Sequence, residues 1–320
     1  MSDASGSICS RKILIIGFGS IGARHARVAA ALGWSVSVLS RREKPEGVVH
    51  SWHQNLASAI AENPDMVIIA TETGRHLDDL RMLSQVAYSG PVLVEKPLFS
   101  GSEDISGLSF ERISCAYVLR VHPLLVKLKS LLEADGSPIA MMHAYCGQHL
   151  ADWRPGEDYR TSYSASRESG GGVLRDLSHE LDYVMWLMQG RPVSVLAQGG
   201  NLGLLGIDSD ESWAIQLRYP GQPSPNVTVT INYLDRPAKR FVTVGTKEHS
   251  YQLDFVSQKL FRDGLEIEIP AVQRDDIYRS QLLAFARNDG SLCSLKQACD
   301  VVDLIEAVER SEGQAEWTDL

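Results

Sequence analysis

The sequence predicts an α/β protein in two parts: a doubly wound parallel sheet, then an α/β domain built on a large, mainly antiparallel sheet. Three observations lead there. Up to residue 121, short apolar runs alternate with helical stretches, the pattern of a parallel sheet with right-handed crossovers. Beyond residue 193, six strand-like runs follow one another at hairpin spacing with no helix between them. A chain of 320 residues is also too long for one ordinary core and comfortable for two.

The elements follow in order. Residues 12–16 are an apolar run ending in a glycine loop, and the alanine-rich stretch 23–32 continues as a helix. Residues 35–39 alternate as a second strand, and residues 66–70 are continuously apolar, as suits a strand buried on both faces. Residues 76–87 read as a helix, 92–94 as a strand and 114–119 as the last strand of this half. The pattern then changes to a helix at 122–134, a strand at 139–146, a polar aromatic loop at 149–169 and a helix at 171–188. Strands are expected at 193–198, 213–219, 226–233, 240–245, 251–255 and 265–269, and helices at 277–287 and 295–310 close the chain. The domain boundary falls after residue 121, with 122–293 as the second domain and helix 294–312 able to pack back on the first.

Composition excludes several function classes. A net charge of −9 and a pI near 5.5 argue against a polyanion-binding surface, so no nucleic-acid partner is expected. Residues 1–11 are polar and small with no apolar signal core, and no window approaches 18 uninterrupted apolar residues. Neither secretion nor a membrane partner is expected. The five cysteines, Cys9, Cys115, Cys146, Cys293 and Cys299, are odd in number and scattered without a Cys-x-x-Cys pair. That favours reduced thiols and a cytoplasmic setting over a disulfide framework, and no metal site is expected.

Gly17-Phe18-Gly19-Ser20-Ile21-Gly22 follows an apolar strand and opens a helix inside a β-α-β unit. That is the context a dinucleotide-binding Rossmann loop requires. Gly17 permits the tight turn, Gly19 lets the backbone approach a pyrophosphate and Gly22 lets helix pack on strand. The helix N-terminus offers unpaired N–H groups to the phosphates. At the end of the second strand an NAD site usually carries Asp or Glu, whereas this chain reads Leu39-Ser40-Arg41-Arg42. A hydroxyl followed by two guanidinium groups suits a 2′-phosphate, so NADP is preferred, with NAD as the alternative if Glu43 reaches the ribose.

Glu95-Lys96-Pro97 lies just beyond the strand at 92–94, where ligands sit in an open α/β sheet. Before it comes Thr71-Glu72-Thr73-Gly74-Arg75-His76, and after it Tyr117-Val118-Leu119-Arg120-Val121-His122-Pro123 and Gly170-Gly171-Gly172-Val173-Leu174-Arg175-Asp176-Leu177-Ser178-His179. In content and order these four segments resemble the Gfo/Idh/MocA oxidoreductases, over almost the whole chain. The resemblance implies a Rossmann domain joined to an α/β domain, and oxidation or reduction of a sugar, cyclitol or related carbonyl compound. It puts the family's active-site lysine on Lys96, its acid on Asp176 and its histidine on His179, with Thr71, His76 and Glu95 beside the cofactor. The family usually spaces the acid and histidine four apart, whereas Asp176 and His179 are three apart. Both spacings keep the pair on one helical face, and Asp182 enters as a stand-in for the acid.

The chemistry can also be argued from the residues. Moving a hydride to or from a carbinol carbon requires a proton to leave or join the oxygen, which a group with a pKa near working pH does best. Lys96, tuned by desolvation, and His179, titrating near neutrality, are the candidates. His179 then acts as base in oxidation, Lys96 polarises or relays, and Asp176 orients the imidazole or binds a substrate hydroxyl. Leu174, Leu177, Leu181, Val184 and Met188 form the core stripe of the helix, and His179 lies off it.

The loop at 149–169 carries Trp153, Arg154, Glu157, Asp158, Tyr159 and Arg160, groups that stack on sugar faces and fork to hydroxyls or acids. Arg154, Tyr159 and Arg160 are expected as substrate contacts with Arg120 nearby; a loop packed at a subunit interface is the alternative. The reading is an NADP-preferring cytoplasmic dehydrogenase or reductase of a sugar derivative, similar to a branch linked to bacterial surface-sugar pathways. An NAD-dependent glycosidase using transient redox chemistry and a non-catalytic NADP sensor are the rivals. A homodimer or homotetramer is expected, because alternating apolar residues at 213–219 and 226–233 would leave an open sheet face.

Overall fold

The computed structural model describes residues 10–47, 50–314 and 316–320. Cys9 and the polar start at 1–9 lie outside them. The first part runs β1 (Lys12–Ile16), α1 (Ser20–Ala31), β2 (Ser35–Leu39), β3 (Ser51–His53), α2 (Leu56–Ile60), β4 (Met66–Ile69), α3 (His76–Gln85), β5 (Val92–Val94) and β6 (Ile113–Cys115). These strands are all parallel, in the order β3-β2-β1-β4-β5-β6. The order reverses direction between β1 and β4, so the chain ends that leave these two strands open a crevice there. The strand expected at 114–119 stops at Cys115, and residues Val118–Val121 wind into a 3₁₀ turn.

The second part runs α4 (Pro123–Asp135), β7 (Ile139–Gly147), α5 (Val173–Asp176), α6 (His179–Leu187), β8 (Ser194–Gly200), β9 (Ser212–Arg218), β10 (Asn226–Asn232), β11 (Lys239–Thr246), β12 (Ser250–Asp254), β13 (Lys259–Arg262) and β14 (Leu265–Ile267). α7 (Arg274–Arg287), β15 (Cys293–Ser294), α8 (Leu295–Gln314) and β16 (Thr318–Asp319) complete the chain. The nine strands order as β14-β13-β12-β11-β7-β10-β9-β8-β16, antiparallel throughout except for the parallel pair β7 and β10. β13 was not anticipated. Its apolar content is one buried leucine, Leu260, between charged and aromatic neighbours, too little for a period-2 signal.

The single helix expected at 171–188 is two. Leu177 leaves helical geometry at φ −100°, ψ +23°, and α6 restarts after Ser178. Asp176 and His179 therefore sit on different helices, and helical spacing is not what brings them together.

α7 crosses back earlier than the boundary at 293. It packs against α1, and its Leu282 and Phe285 share a core with Ile13, Ile15, Ile68 and Leu93, covering a face of the first sheet that α1 alone leaves bare over β4 and β5. α8 stands between the sheets, touching β8 and β16 of the second and β6 and β15 of the first. A continuous buried core runs from Leu14 and Val67 of the first sheet to Val229 and Val242 of the second.

The reason offered for an open apolar face also needs correction. Trp213, Ile215, Leu217, Val227, Val229 and Ile231 point inward under α5 and are buried. The uncovered face carries Gln216, Thr228, Thr230 and Thr243, with the Tyr145 ring stacked on that of Phe241 at 5.1 Å between centroids.

The joint between the parts begins at His122. Its Nδ1 accepts the Leu124 N–H as N-cap of α4, with Pro123 in the first turn. Burial, then the Arg240 charge, pull this imidazole down to about 4. A histidine depressed in the folded state adds stability at pH values above its unfolded pKa of 6.5, and that stability is lost as pH falls toward 4. His122→Asn keeps a cap acceptor and removes the titration. Denaturant unfolding at pH 7 and pH 4 should therefore show the pH-dependent loss of stability shrinking by up to about 3 kcal/mol in the variant; an unchanged loss would rule this out.

Candidate active site

A cleft of about 1060 Å³ opens at the carboxyl ends of β1, β2, β4 and β5 and is roofed by the loop between β7 and α5. Its floor is the glycine loop. Gly17 has φ +95°, and a Cβ there would lie 2.6 Å from the Ala70 carbonyl oxygen. A Cβ on Gly22 would run into the Gly17 carbonyl, so Gly22 is a packing residue and does not line the cleft. At Gly19 a Cβ would meet nothing within 4 Å, which leaves open space above the loop. No side chain caps α1 and no acid occupies its first turn. An uncapped helix start below an open glycine backbone fits a diphosphate. Phe18, Ser20 and Ile21 line the same floor.

At the end of β2, Ser40, Arg41 and Arg42 line the cleft and Glu43 does not. Ser40 Oγ accepts the Arg42 N–H at 3.1 Å, holding the turn, while both arginine side chains are exposed. Thr71 lines the opposite wall, its hydroxyl donating to Asp79 at 2.6 Å. His76 does not reach the cleft. It is 1% exposed, with Nδ1 against the Leu98 carbonyl and Nε2 against that of Thr71, so it braces two turns and is not placed to touch a ligand.

Lys96 reaches across the cleft to the second domain. Its Nζ donates to the Asp176 carbonyl at 2.6 Å and, more weakly, to that of Arg175 at 3.4 Å. Glu95 behind it pairs with the buried His25 of α1 at 2.7 Å. Lys96, Asp176 and His179 all line the cleft, so the three residues named from the sequence converge.

Their electrostatics differ from expectation. His179 is half-buried at the cleft wall; desolvation first, then the charges of Lys96 and Arg240, push its imidazole well below the ordinary histidine value. That shift favours the neutral ring, and its Nδ1 has no hydrogen-bond partner among the described residues. Asp176 does not orient that ring, since its Oδ2 accepts from Ser164 at 2.5 Å and Tyr233 at 2.6 Å. Burial, and then Asp176 itself, hold the Tyr233 hydroxyl well above the usual phenol range, so it remains a donor.

Two expected substrate contacts are elsewhere. Arg120 is 3% exposed and bonds Asp182 through Nε at 3.0 Å and Nη2 at 2.7 Å, with Nη1 on Gln297. This buried pair ties α6 and α8 to the first domain, and it removes Asp182 as a stand-in acid. Arg160 points outward, paired with Asp158 and lying over the Tyr159 ring. Arg154 and Tyr159 do line the cleft, and the Tyr159 hydroxyl donates to the Leu205 carbonyl.

The sequence reading missed Ser164, Tyr233 and Tyr163, whose hydroxyl lies 3.2 Å from Thr73 and donates to Gly170. No motif marks them; they matter because the glycine run is pressed against them. A Cβ on Gly171 would strike the Tyr163 carbonyl, and one on Gly172, at φ +115°, would strike Asp210. Asp210 in turn caps α5, accepting from the Leu174 N–H at 2.8 Å.

Two family profiles match the chain: "Oxidoreductase family, NAD-binding Rossmann fold" over residues 11–109, and "GFO/IDH/MocA C-terminal domain" over residues 138–249. No curated protein sequence matches. Solved structures with the same fold include UDP-N-acetylglucosamine 3-dehydrogenase GnnA from Acidithiobacillus ferrooxidans (18% identity, 96% of this chain and 99% of that one, TM-score 0.76). The WlbA dehydrogenase from Bordetella pertussis, in complex with NADH and UDP-GlcNAcA, is 17% identical over 97% and 99% of the two chains, with TM-score 0.77. Myo-inositol 2-dehydrogenase from Lactobacillus plantarum is 17% identical over 97% and 99%, with TM-score 0.75.

Proposed function

The chain belongs to the Gfo/Idh/MocA oxidoreductases, and on that footing we propose that it is a cytoplasmic dehydrogenase or reductase of a sugar, cyclitol or sugar derivative, preferring NADP. The observation that carries this reading is the meeting of Lys96, Asp176 and His179 in a cleft floored by the glycine loop. Relatives of the same fold named for acting on a nucleotide sugar and on inositol support the substrate class. So do the aromatic and charged groups of the roof, Trp153, Arg154 and Tyr159, which suit a polyol.

A nicotinamide bound in this cleft, over the glycine loop and beside Lys96, would supply or take up the hydride. The protein's part is proton handling and placement. In oxidation the neutral His179 accepts the substrate hydroxyl proton, and the imidazolium so formed is short-lived beside Lys96 and Arg240. Lys96 spends N–H bonds on two backbone carbonyls and keeps a third donor for the reacting oxygen, whose developing negative charge it stabilises. Asp176 leaves Oδ1 for a substrate hydroxyl, because Ser164 and Tyr233 both hold Oδ2. Arg41 and Arg42, with no carboxylate beside them in the lining, receive the 2′-phosphate. A dimer or tetramer forms through the uncovered face of the second sheet.

Lys96→Met should lower turnover by about 10²- to 10⁴-fold on an identified sugar substrate. It should also move the His179 titration, followed by NMR of the ring protons, upward toward 6.5, because one of the two opposing charges is gone. Turnover within threefold of wild type would end the assignment. In titrations of the purified protein, NADPH should bind about tenfold tighter than NADH and Arg41→Ala should erase most of that margin; a clear preference for NADH would refute the 2′-phosphate argument. Light scattering at micromolar concentration should report a dimer or tetramer, and a monomer throughout that range would remove the oligomer.

A further inference from the structure

One wall of the cleft comes from a part of the chain with no motif. α7 starts about 250 residues after the glycine loop, yet its Arg274 and Tyr278 line the cleft beside Gly19, Ser20 and Arg24. The two helices are fastened at this end. Arg27 of α1 forks to Asp275 of α7, with Nε at 3.2 Å and Nη2 at 2.8 Å and 3.1 Å. The Arg24 guanidinium lies over the Tyr278 ring, 5.2 Å from its centre, with Nε 3.5 Å from Asp275. His25, from the same helix, meets the other edge of Tyr278 at 5.6 Å and carries Glu95 on its Nε2.

This arrangement has the features of an anion clamp. α1 begins without a capping side chain, and an arginine from each of two helices lines the cleft together with Ser20 and Ile21 of its first turn. The two carboxylates in the first turn of α7 are both engaged: Asp275 chiefly by the fork of Arg27, with Arg24 Nε further off, and Asp276 by the Gln273 N–H that it caps. Contact with the Tyr278 ring positions the Arg24 guanidinium at the cleft wall. Burial raises the Tyr278 hydroxyl above the ordinary phenol value, so it stays a neutral donor.

We propose that α7 is the second jaw of the diphosphate site: Arg24 and Arg274 grip the cofactor's diphosphate from the two helices, and Tyr278 is the platform that holds Arg24 in place. The proposal rests on the dinucleotide reading above and extends it to three residues outside the glycine loop. It separates two anion sites by chemistry, the diphosphate at Arg24 and Arg274 and the 2′-phosphate at Arg41 and Arg42.

Fluorescence or calorimetric titration of the full-length protein with NADH, NADPH and ADP-ribose tests it. Arg274→Ala and Arg24→Ala should each weaken all three ligands by a similar factor of about ten, since all three share the diphosphate. Each variant should also flatten the dependence of affinity on salt concentration, which loss of fold would not do. Tyr278→Ala, which removes the platform under Arg24, should weaken all three ligands in the same way as Arg24→Ala. Affinities unchanged in both arginine variants would overturn the proposal. So would a loss confined to NADPH, which would make these arginines readers of the 2′-phosphate. Wild-type protein that binds none of the three ligands would overturn the dinucleotide reading itself, and with it this extension.

Discussion

The site depends on one cation meeting two carbonyls. In an unbroken helix the Asp176 carbonyl would accept the Glu180 N–H. Here the Lys96 ammonium takes that carbonyl, Glu180 turns to Leu177 at 3.1 Å, and the helix restarts as α6. Lysine at the end of α5 is also well placed against the negative end of the peptide dipoles, though four residues make that a small effect. The consequence is geometric. The break turns His179 toward the cleft at the start of a new helix, while Asp176 remains at the end of the old one. The same contact joins β5 of the first sheet to the helices of the second domain, so assembly of the site and docking of the domains are one event.

Around that contact, polar groups are buried in matched sets. Glu180 is fully buried and next to His179, and burial raises its carboxyl above the usual range; Arg240 forks to it at 2.8 Å and 3.0 Å. The pair anchors the first turn of α6 to β11, and its cation adds to that of Lys96 in keeping His179 neutral. Arg120 and Asp182 do the same two residues further on, toward the first domain. Buried pairs of this kind add little net stability over apolar packing, but breaking one partner is costly, so they fix orientation. The glycine run belongs to this logic. Its lack of side chains lets the loop carrying Tyr163 and Ser164 lie close enough for Ser164 to reach Asp176.

What could be read from the sequence was whatever is local. The glycine loop, the strand before Lys96 and the alternation of strands and helices announce themselves within a dozen residues, and the folded chain places them as expected. Arg120, His76 and Arg160 resisted reading because a polar side chain near a motif is ambiguous: only the fold decides whether it faces the cleft, the core or solvent. Asp182 is the clearest case, three residues from His179 and yet paired with Arg120 in the interior. Tyr233, Arg274 and Tyr278 were invisible for another reason. Each comes from an element far along the chain, and nothing local distinguishes a tyrosine ending a strand from one that bonds an active-site acid. The break at Leu177 was hidden because its cause, Lys96, is 81 residues upstream.

The charge of the chain and the charge of the cleft point in opposite directions, and this bears on how the two ends of the site divide their work. With a net charge of −9, the surface as a whole repels an anionic ligand. Arg24, Arg41, Arg42 and Arg274 all line the cleft on the side of the glycine loop and the end of β2. On the proposed reading, an anionic dinucleotide would be drawn to this region and held by its phosphates, remote from the reacting atoms. Toward Lys96 the balance shifts, with a lysine held by backbone carbonyls, a neutral imidazole and an acid already bonded by two hydroxyls. Binding energy gained on the phosphates can then position the ring where proton transfer occurs, without placing strong charges that would tie up the substrate in its ground state.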